Sequence, residues 1–321
     1  MRYLVTGGAG FIGSNFVRGL LDGRWAVECT SVRVLDSFTY AGRMENLQEC
    51  AGDSRLDILR GSITDTSVVE AAIRDIDVVV HFAAESHVDR SIASAHAFVD
   101  TNVRGTQVLL DALRHFTDTR FLHVSTDEVY GSVTSGSSAE HDLLLPNSPY
   151  SASKASSDLL VRSYVQTFGV DAVITRCSNN FGPYQYPEKL IPRFVTNLMR
   201  GRHVPVYGTG ANVRDWLHVD DHCRGILLAI AHGRSGEIYN IGGGTELDNL
   251  TITRMIVSAM GQGEDMIDHV ADRLGHDLRY SVDWSKAREE LGYSPTKDLT
   301  SELPLLIDWY RQNEAWWRPL V

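Results

Sequence analysis

The sequence predicts an α/β fold, a doubly wound parallel sheet carrying a smaller C-terminal region. Three observations lead there. Short apolar runs alternate with helix-like stretches through the first half of the chain. A glycine-rich turn at residues 7–13 follows the first of those runs. Beyond about residue 180 the composition loosens, with Gly, Pro and Asn set between short periodic segments. At 321 residues, with 43% hydrophobic and 22% charged side chains, the chain can bury a full core and is about two average domains long. Disorder and a disulfide-stapled miniprotein explain such a composition poorly.

Residues 2–6 (RYLVT) read as a buried first strand, leading through the glycine turn into a helix over 13–22. Residues 31–35 (SVRVL) make a second strand and 56–59 (LDIL) a third; 77–82 (DVVVHF) make a fourth, whose apolar centre suits burial on both faces. A helix through about 95–115 follows, then a strand at 120–125 (RFLHVS). Ser148 as N-cap and Pro149 at the first helical position open the next helix, over 150–168, before a strand at 170–176 (VDAVITR). After residue 180 NNFGPYQYPEK, GRHVPVYGTG and NIGGGTELDN interrupt the pattern, and no Ser/Gly linker or charge run marks a boundary. The expected division is a sheet domain over 1–180 and a smaller region over 181–321, separated by a cleft and exchanging some chain.

Thirty Lys and Arg stand against 41 Asp and Glu, a formal net charge of −11. That balance argues against nucleic acid and anionic membranes as partners, since both draw on basic surface. An anionic ligand must be met by particular Arg or Lys residues. The N-terminal apolar run meets Gly7 and Gly8 too early for a signal peptide, and no segment approaches the roughly 20 apolar residues of a membrane span. Cys29, Cys50, Cys177 and Cys223 are scattered, without a C-x-x-C pair. A reduced, cytoplasmic protein is expected.

Gly7, Gly10 and Gly13 in VTGGAGFIG have G-x-x-G-x-x-G spacing between a predicted strand and a predicted helix. Glycines there permit a tight turn and close backbone approach to a pyrophosphate, and the helix N-terminus aims free amides at the anion. Asp36 ends the second strand 23 residues after Gly13, where a carboxylate accepts from ribose hydroxyls and repels a 2′-phosphate. In this context the spacing points to a Rossmann-type site for NAD; a glycine turn with packing duties alone is the plainer alternative.

Tyr150 and Lys154 lie four apart in NSPYSASKASSDLL, on one face of the predicted helix. A lysine ammonium beside a tyrosine favours the phenolate, which can take a hydroxyl proton while hydride leaves to the cofactor. VSTDEVYG, residues 124–131, follows a strand at the carboxyl edge of the sheet, where open α/β folds place ligands. Thr126 can bond a substrate hydroxyl there. Asp127 and Glu128 are adjacent acids that a turn can aim into one cleft. A carboxylic acid working with a carboxylate is what a β-elimination needs, and ordinary oxidoreduction needs neither.

TGGAGFIGSNFV, LDSFTYAGRMENL, HFAAESHVDRSI, VSTDEVYG, SPYSASKASSD, TRCSNNFGPYQYPEKLIP, NVRDWLHVDDHCRGI and GHDLRYSVD occur in this order over nearly the whole chain. Together they resemble the extended short-chain dehydrogenase/reductase superfamily and, more narrowly, the dTDP-glucose 4,6-dehydratases. The resemblance implies a redox-neutral hydro-lyase of deoxysugar biosynthesis working on permanently bound NAD. Tyr150, with Lys154 and Thr126, would deprotonate the glucose 4-hydroxyl as hydride leaves C4. Glu128 would then remove the C5 proton, acidified by the new ketone, and Asp127 would protonate the departing 6-hydroxyl. Hydride return to C6 would give dTDP-4-keto-6-deoxyglucose.

Cofactor contacts implied in this way are Gly7, Gly10, Phe11, Ile12, Gly13, Asp36, Ser37, Thr39, Ser62, Ile63, Phe82, Ala83, Ala84, Ser86, Thr101, Tyr150, Lys154 and Asn180. Implied substrate contacts are His87, Thr126, Asn179, Lys189, Leu190, Pro205, Tyr207, Arg214, Asn249, Arg273, His276 and Tyr280. Arg214 and Arg273 offer forked donors to a diphosphate. The helices around 95–115 and 150–168 would pair across a homodimer as a four-helix interface. Where the family has G-D-I this chain has Gly61-Ser62-Ile63, an uncharged acceptor for the adenine amino group, and Arg43 stands where the family tends to a neutral residue.

Rival readings keep parts of this. A sugar-nucleotide 4-epimerase or simple dehydrogenase shares the fold, NAD, Tyr150 and Lys154 but has no use for the two acids. A dehydratase of GDP-mannose or another nucleotide sugar would share the acids as well. A catalytically idle NAD-binding regulator would keep only the fold. His218 and His222 flank Asp220 and Asp221, but no third His or Cys stands at useful spacing, and no metal is expected. His81 reads as a satisfied core histidine, and Trp309, Tyr310, Trp316 and Trp317 as packing or interface residues closing an amphipathic helix.

Overall fold

VVVH at 78–81 and AVITRC at 172–177 are buried at every position, so such runs belong in a sheet covered on both faces. The computed structural model describes all residues, Met1–Val321. Its strands are β1 (Arg2–Thr6), β2 (Ser31–Asp36), β3 (Leu56–Arg60), β4 (Val78–His81), β5 (Arg120–Thr126), β6 (Ala172–Cys177), β7 (Asn179–Phe181), β8 (Val204–Tyr207), β9 (Val213–His218), β10 (Ile238–Ile241), β11 (Glu246–Asp248) and β12 (Ile267–Val270). Seven form one parallel sheet in the order β10-β6-β5-β4-β1-β2-β3. The order reverses beside β1, which makes the sheet doubly wound.

The helices are α1 (Phe11–Leu21), α2 (Thr66–Ile73), α3 (Val88–Ala93), α4 (His96–Phe98), α5 (Thr106–Leu113), α6 (Pro149–Phe168), α7 (Leu190–Met199), α8 (Val219–His232), α9 (Asn249–Ala259), α10 (Ser285–Leu291), α11 (Leu299–Gln312) and α12 (Glu314–Trp317). On one face of the large sheet, Phe16 and Leu20 of α1 pack with Ile226 and Ile230 of α8. On the other, Ile73 of α2, Leu109 of α5 and Val161 of α6 close the core. A third cluster joins α7, α9 and α11 and takes in Trp316 and Trp317. Trp316 also donates from Nε1 to Asn46 Oδ1 at 2.8 Å.

Residues beyond 180 contribute α8 and β10 to the large sheet. The remainder builds a three-stranded sheet, β11-β9-β7, and a parallel pair, β12-β8. Asp215 of β9 fastens these parts, accepting from Ser178 Oγ at 2.6 Å and from the amides of Gly243 and Thr245 at 2.8 Å each.

The helix expected through 95–115 is not uniform. Between α4 and α5 the seven residues Val99–Gly105 are π-helical. The widened turn presents Asn102 to the loop after β4: its Oδ1 accepts from Glu85 N at 2.8 Å, while its Nδ2 donates to Glu85 O at 3.0 Å and Ser153 Oγ at 2.8 Å. A side-chain amide clamp of this kind leaves no trace in hydrophobic periodicity. By contrast α6 begins as its sequence requires, with Ser148 and Ser151 in a capping box and Pro149 in the first turn.

Candidate active site

The glycine turn connects β1 to α1. Gly7 has φ +68°, and a Cβ there would lie 2.6 Å from the Ala83 amide nitrogen. At Gly13 a Cβ would meet Gly7 O at 2.3 Å, so any larger residue would separate helix from strand. Phe11, Ile12 and Gly13 open α1 without a side-chain cap, and first-turn amides have no acceptor within their own helix. Asp36 Oδ2 accepts from Ala9 N at 2.9 Å and Oδ1 from Phe38 N at 2.8 Å. The carboxylate is thereby fixed beside the turn with lone pairs left for a ribose diol. Burial pushes its pKa up, and those two amides draw it back.

The other expected cofactor residues gather along the same carboxyl edge. Ser37 and Thr39 follow β2; Phe82, Ala83, Ala84 and Ser86 follow β4; Thr101 lies in the π-helical segment, beside α4. Ser62 Oγ is 2.8 Å from Thr64 Oγ1 and accepts from Thr64 N at 3.2 Å, so it already caps its own turn. Ile63 is buried, with its side chain packed beneath Gly105. Asn180 Oδ1 meets His222 Nδ1 at 2.9 Å. His222 is thus a hydrogen-bond partner, brought down to about 3 by burial, and His218 caps α8 by accepting from Asp220 N.

β5 ends at Thr126, and residues Asp127–Tyr130 form a single 3₁₀ turn. Thr126 Oγ1 accepts from Glu128 N at 3.3 Å and donates to Asp127 Oδ1 at 3.1 Å. The two acids then diverge. Asp127 is 3% exposed and its Oδ2 has no partner; burial, then the charge of Glu128, pushes its pKa well up, which favours the protonated acid. Glu128 opens onto the adjoining cavity. Burial raises its pKa too, but Arg214, Arg273 and Lys189 pull it back toward the carboxylate. Neighbouring carboxyls with environments that separate an acid from a base are equipped for proton removal and proton delivery on one substrate.

Tyr150 and Lys154 share the inner face of α6 and are both buried. The expected ammonium–phenol contact is not what the structure shows. Lys154 Nζ donates to Val124 O at 2.7 Å, reaching down to β5 rather than along its helix. Burial first, then the charge of Glu128, holds the Tyr150 phenol well above its ordinary value, with the Thr126 hydroxyl acting the other way. Burial brings Lys154 itself down to about 8, against the pull of Asp158.

A cavity of about 950 Å³, including its open mouth, runs from Glu128 and Asn179 toward α7 and α9. His87, Lys189, Leu190, Pro205, Tyr207, Arg214, Asn249, Arg273, His276 and Tyr280 line it together with those two. Among the expected substrate residues only Thr126 stays outside the wall, turned toward Asp127. Arg214 is anchored by Val213 O at 2.7 Å and Asp277 O at 2.9 Å, and lies 4.2 Å above the Tyr280 ring. It pairs with no carboxylate, nor do Lys189 and Arg193. Arg273 meets Asp89 at 3.4 Å and keeps a buried Nε without a partner. An acidic chain that concentrates under-neutralised cations in one cavity has built a receptor for a polyanion.

Sequence reasoning missed Asp89, Glu188 and Arg193 in this wall. Glu188 pairs with Arg90 at 3.1 Å and Asp89 reaches Tyr207 OH at 3.3 Å, contacts created only by folding. Arg43, left without a consequence, donates to Trp316 O at 3.0 Å and ties the C-terminus to the first domain.

A doubly wound sheet with a dinucleotide turn, a Tyr-x-x-x-Lys helix and a cationic cavity defines a short-chain dehydrogenase/reductase-type enzyme, here with two acids added. Residues 4–303 match the family model described as GDP-mannose 4,6 dehydratase. The chain is 56% identical over 323 residues to the dTDP-glucose 4,6-dehydratase of Streptomyces antibioticus, covering 100% of this chain and 95% of that one. Its structure superposes on the NAD-bound dTDP-glucose 4,6-dehydratase DesIV of Streptomyces venezuelae with a TM-score of 0.99, at 56% identity and 100% coverage of both. The UDP-glucuronic acid 4-epimerase of Bacillus cereus follows at a TM-score of 0.91 and 32% identity, over 97% of this chain and 99% of that one. This chain belongs to the nucleotide-sugar 4,6-dehydratase family.

Proposed function

We propose that the protein is an NAD-dependent dTDP-glucose 4,6-dehydratase, a hydro-lyase yielding dTDP-4-keto-6-deoxyglucose. The observation that carries the reading is the adjacent pair of acids on the turn after β5, which sit in different surroundings: Asp127 is buried with its Oδ2 unpartnered and is pushed well up by burial, while Glu128 stands on the cavity wall, where Arg214, Arg273 and Lys189 oppose the upward push of burial. An epimerase has no use for that pair. The uncapped first turn of α1 and the placement of Asp36 fit NAD, which when bound supplies the two-electron acceptor for C4 and the donor for C6.

The chain's own residues do the rest. Arg214, Arg273 and Lys189 hold the diphosphate and orient the hexose. Tyr150 takes the 4-hydroxyl proton, with the hydroxyl of Thr126 favouring the phenolate and the ammonium of Lys154, held at Val124 O, acting by its charge alone. The resulting 4-ketone acidifies C5, Glu128 removes that proton, and Asp127 delivers its own to the departing 6-hydroxyl; as hydride returns to C6 Glu128 gives a proton back to C5, and the proton gained by Tyr150 balances the one lost by Asp127. Thr126 carries a single hydroxyl proton. Turning that donor, without transferring the proton, from Asp127 Oδ1 to the Tyr150 oxygen leaves the acid to face the leaving group.

The same reading gives residues 1–180 mainly to NAD and 181–321 mainly to the nucleotide sugar. Ile92, Val99 and Leu159 are exposed on α3, the π-helical segment and α6, which supports a homodimer through a four-helix interface; sedimentation at micromolar concentration tests it. Four free cysteines suit a reducing cytoplasm. Turnover of dTDP-glucose in deuterated water tests the activity: deuterium enters C5 and the C4 hydrogen appears at C6. A product that keeps its 6-hydroxyl would establish an epimerase instead.

A further inference from the structure

Behind the reacting groups lies a buried charged network that the elimination does not consume. Asp158 sits one turn beyond Lys154 on α6, and Arg176 lies on β6; they are 2% and 3% exposed. Arg176 Nε donates to Asp158 Oδ2 at 2.9 Å, and its Nη1 donates to Tyr130 OH at 2.8 Å. The same guanidinium lies 4.8 Å over the Tyr130 ring. Tyr130 OH donates onward to Asn240 Oδ1 at 2.8 Å, and Asn240 Nδ2 is held by Ser138 O and Asp283 O. His123 Nε2 stands 3.4 Å from Asp158 Oδ1 and 3.2 Å from Ser157 Oγ, completing the surround.

Taking an ion pair out of water costs several kcal/mol per ion, and apolar replacements of equal volume are often no less stable. Stability is therefore a weak reason for this pair. Its position suggests a better one. Tyr130 closes the turn that carries Asp127 and Glu128, while Asp158 belongs to the helix that carries Tyr150 and Lys154. The bonds thus cross from the elimination acids to the oxidation pair. The turn ends on Gly131 at φ +76°, a residue with no side chain to brace it, and Tyr130 provides the brace.

We propose that the Asp158–Arg176–Tyr130 chain is a positioning device that holds the Asp127–Glu128 turn in register with Tyr150 and Lys154, so that elimination acts on the sugar oxidised a moment before. None of the three lines the cavity, so they act through other residues. The proposal rests on the dehydratase reading. Oxidation at C4 and proton removal at C5 occur on adjacent carbons, and a misplacement of about 1 Å can cost on the order of 10²-fold in rate.

The test is Tyr130→Phe in the NAD-loaded enzyme, a change that preserves the ring over Arg176 and removes only the hydroxyl. Rapid mixing with dTDP-glucose reads two steps, the absorbance of reduced nicotinamide for oxidation and solvent deuterium at C5 for elimination. The expected result is about a tenfold slower elimination with oxidation and KM within about twofold of the parent, so that reduced cofactor accumulates. Asn240→Ala, which takes away the acceptor of the Tyr130 hydroxyl and leaves Asp158 to act on Lys154, read in the same way, shifts the partition in the same direction and covers the case in which Tyr130→Phe does not fold. Both steps unchanged, or both slowed by one factor alongside a lower Tm, would overturn the proposal. The parent run in parallel separates two failures: if it makes no 4-keto-6-deoxy product, the dehydratase reading falls and takes the proposal with it.

Discussion

Glu128→Gln isolates the elimination from the oxidation that precedes it. The substitution keeps the side chain's shape but cannot accept the C5 proton, and loss of a positioned general base costs ~10²–10⁴-fold, about 3–5 kcal/mol of transition-state stabilisation. The surroundings set the direction of the other effects. Arg214, Arg273 and Lys189 lose the carboxylate that shares their field, so the KM for a diphosphate substrate does not rise. Tyr150 loses the charge that most raises its phenol after burial, so proton removal from the 4-hydroxyl becomes easier. The variant therefore reduces its bound nicotinamide on mixing with dTDP-glucose at least as fast as the parent, and then stalls. Stopped-flow absorbance shows the reduced cofactor persisting, and mass spectrometry in deuterated water shows C5 unlabelled. Labelling of C5 at the parental rate would refute the assignment of the base, and a variant unable to reduce its cofactor would refute the separation of the steps.

Asp89→Asn frees Arg273 from a partly exposed pair at 3.4 Å; such pairs are worth about 0.2–1 kcal/mol, so KM should fall by roughly 1.5- to 5-fold with kcat unchanged, and steady-state kinetics checks it. Lys154, brought down to about 8 by burial, is an ammonium below that pH and neutral above it, so kcat/KM should decline as pH rises through about 8. Lys154→Arg keeps its charge throughout, and a pH–rate profile whose alkaline limb does not move upward assigns the titration to another group. Ser62→Asp restores a charged acceptor where Ser62 now caps its own turn; NAD dissociation from the purified variant should slow, and an unchanged rate counts against adenine contact at this position.

Much of the frame was legible because its signals are local. Val78–His81 advertises burial by composition alone, and Ser148 with Pro149 states where α6 begins. The turn at Asp127–Glu128 was legible as adjacency, yet the difference between its two acids was not. That difference comes from Arg214 and Arg273, which lie 86 and more residues away in sequence. Lys154 shows the same limit from the other side: spacing placed it on the face of Tyr150, but the depth of β5 decided that it would bond Val124 O. β7 and β11, three residues each, are too short and polar to register as strands, and the π-helical segment, which carries the Asn102 clamp, has no periodic pattern to announce it.

The place of β10 in the large sheet bears on how the protein is made. Until Ile238–Ile241 emerges from the ribosome, β6 is a sheet margin whose six residues are all buried in the finished protein, the kind of edge that recruits foreign strands. Some 60 residues past Cys177 must therefore have emerged before that margin is closed. A fragment ending near residue 180 would hold every dinucleotide motif and still be prone to aggregate, so expressing the first half alone is a poor way to obtain a cofactor-binding module.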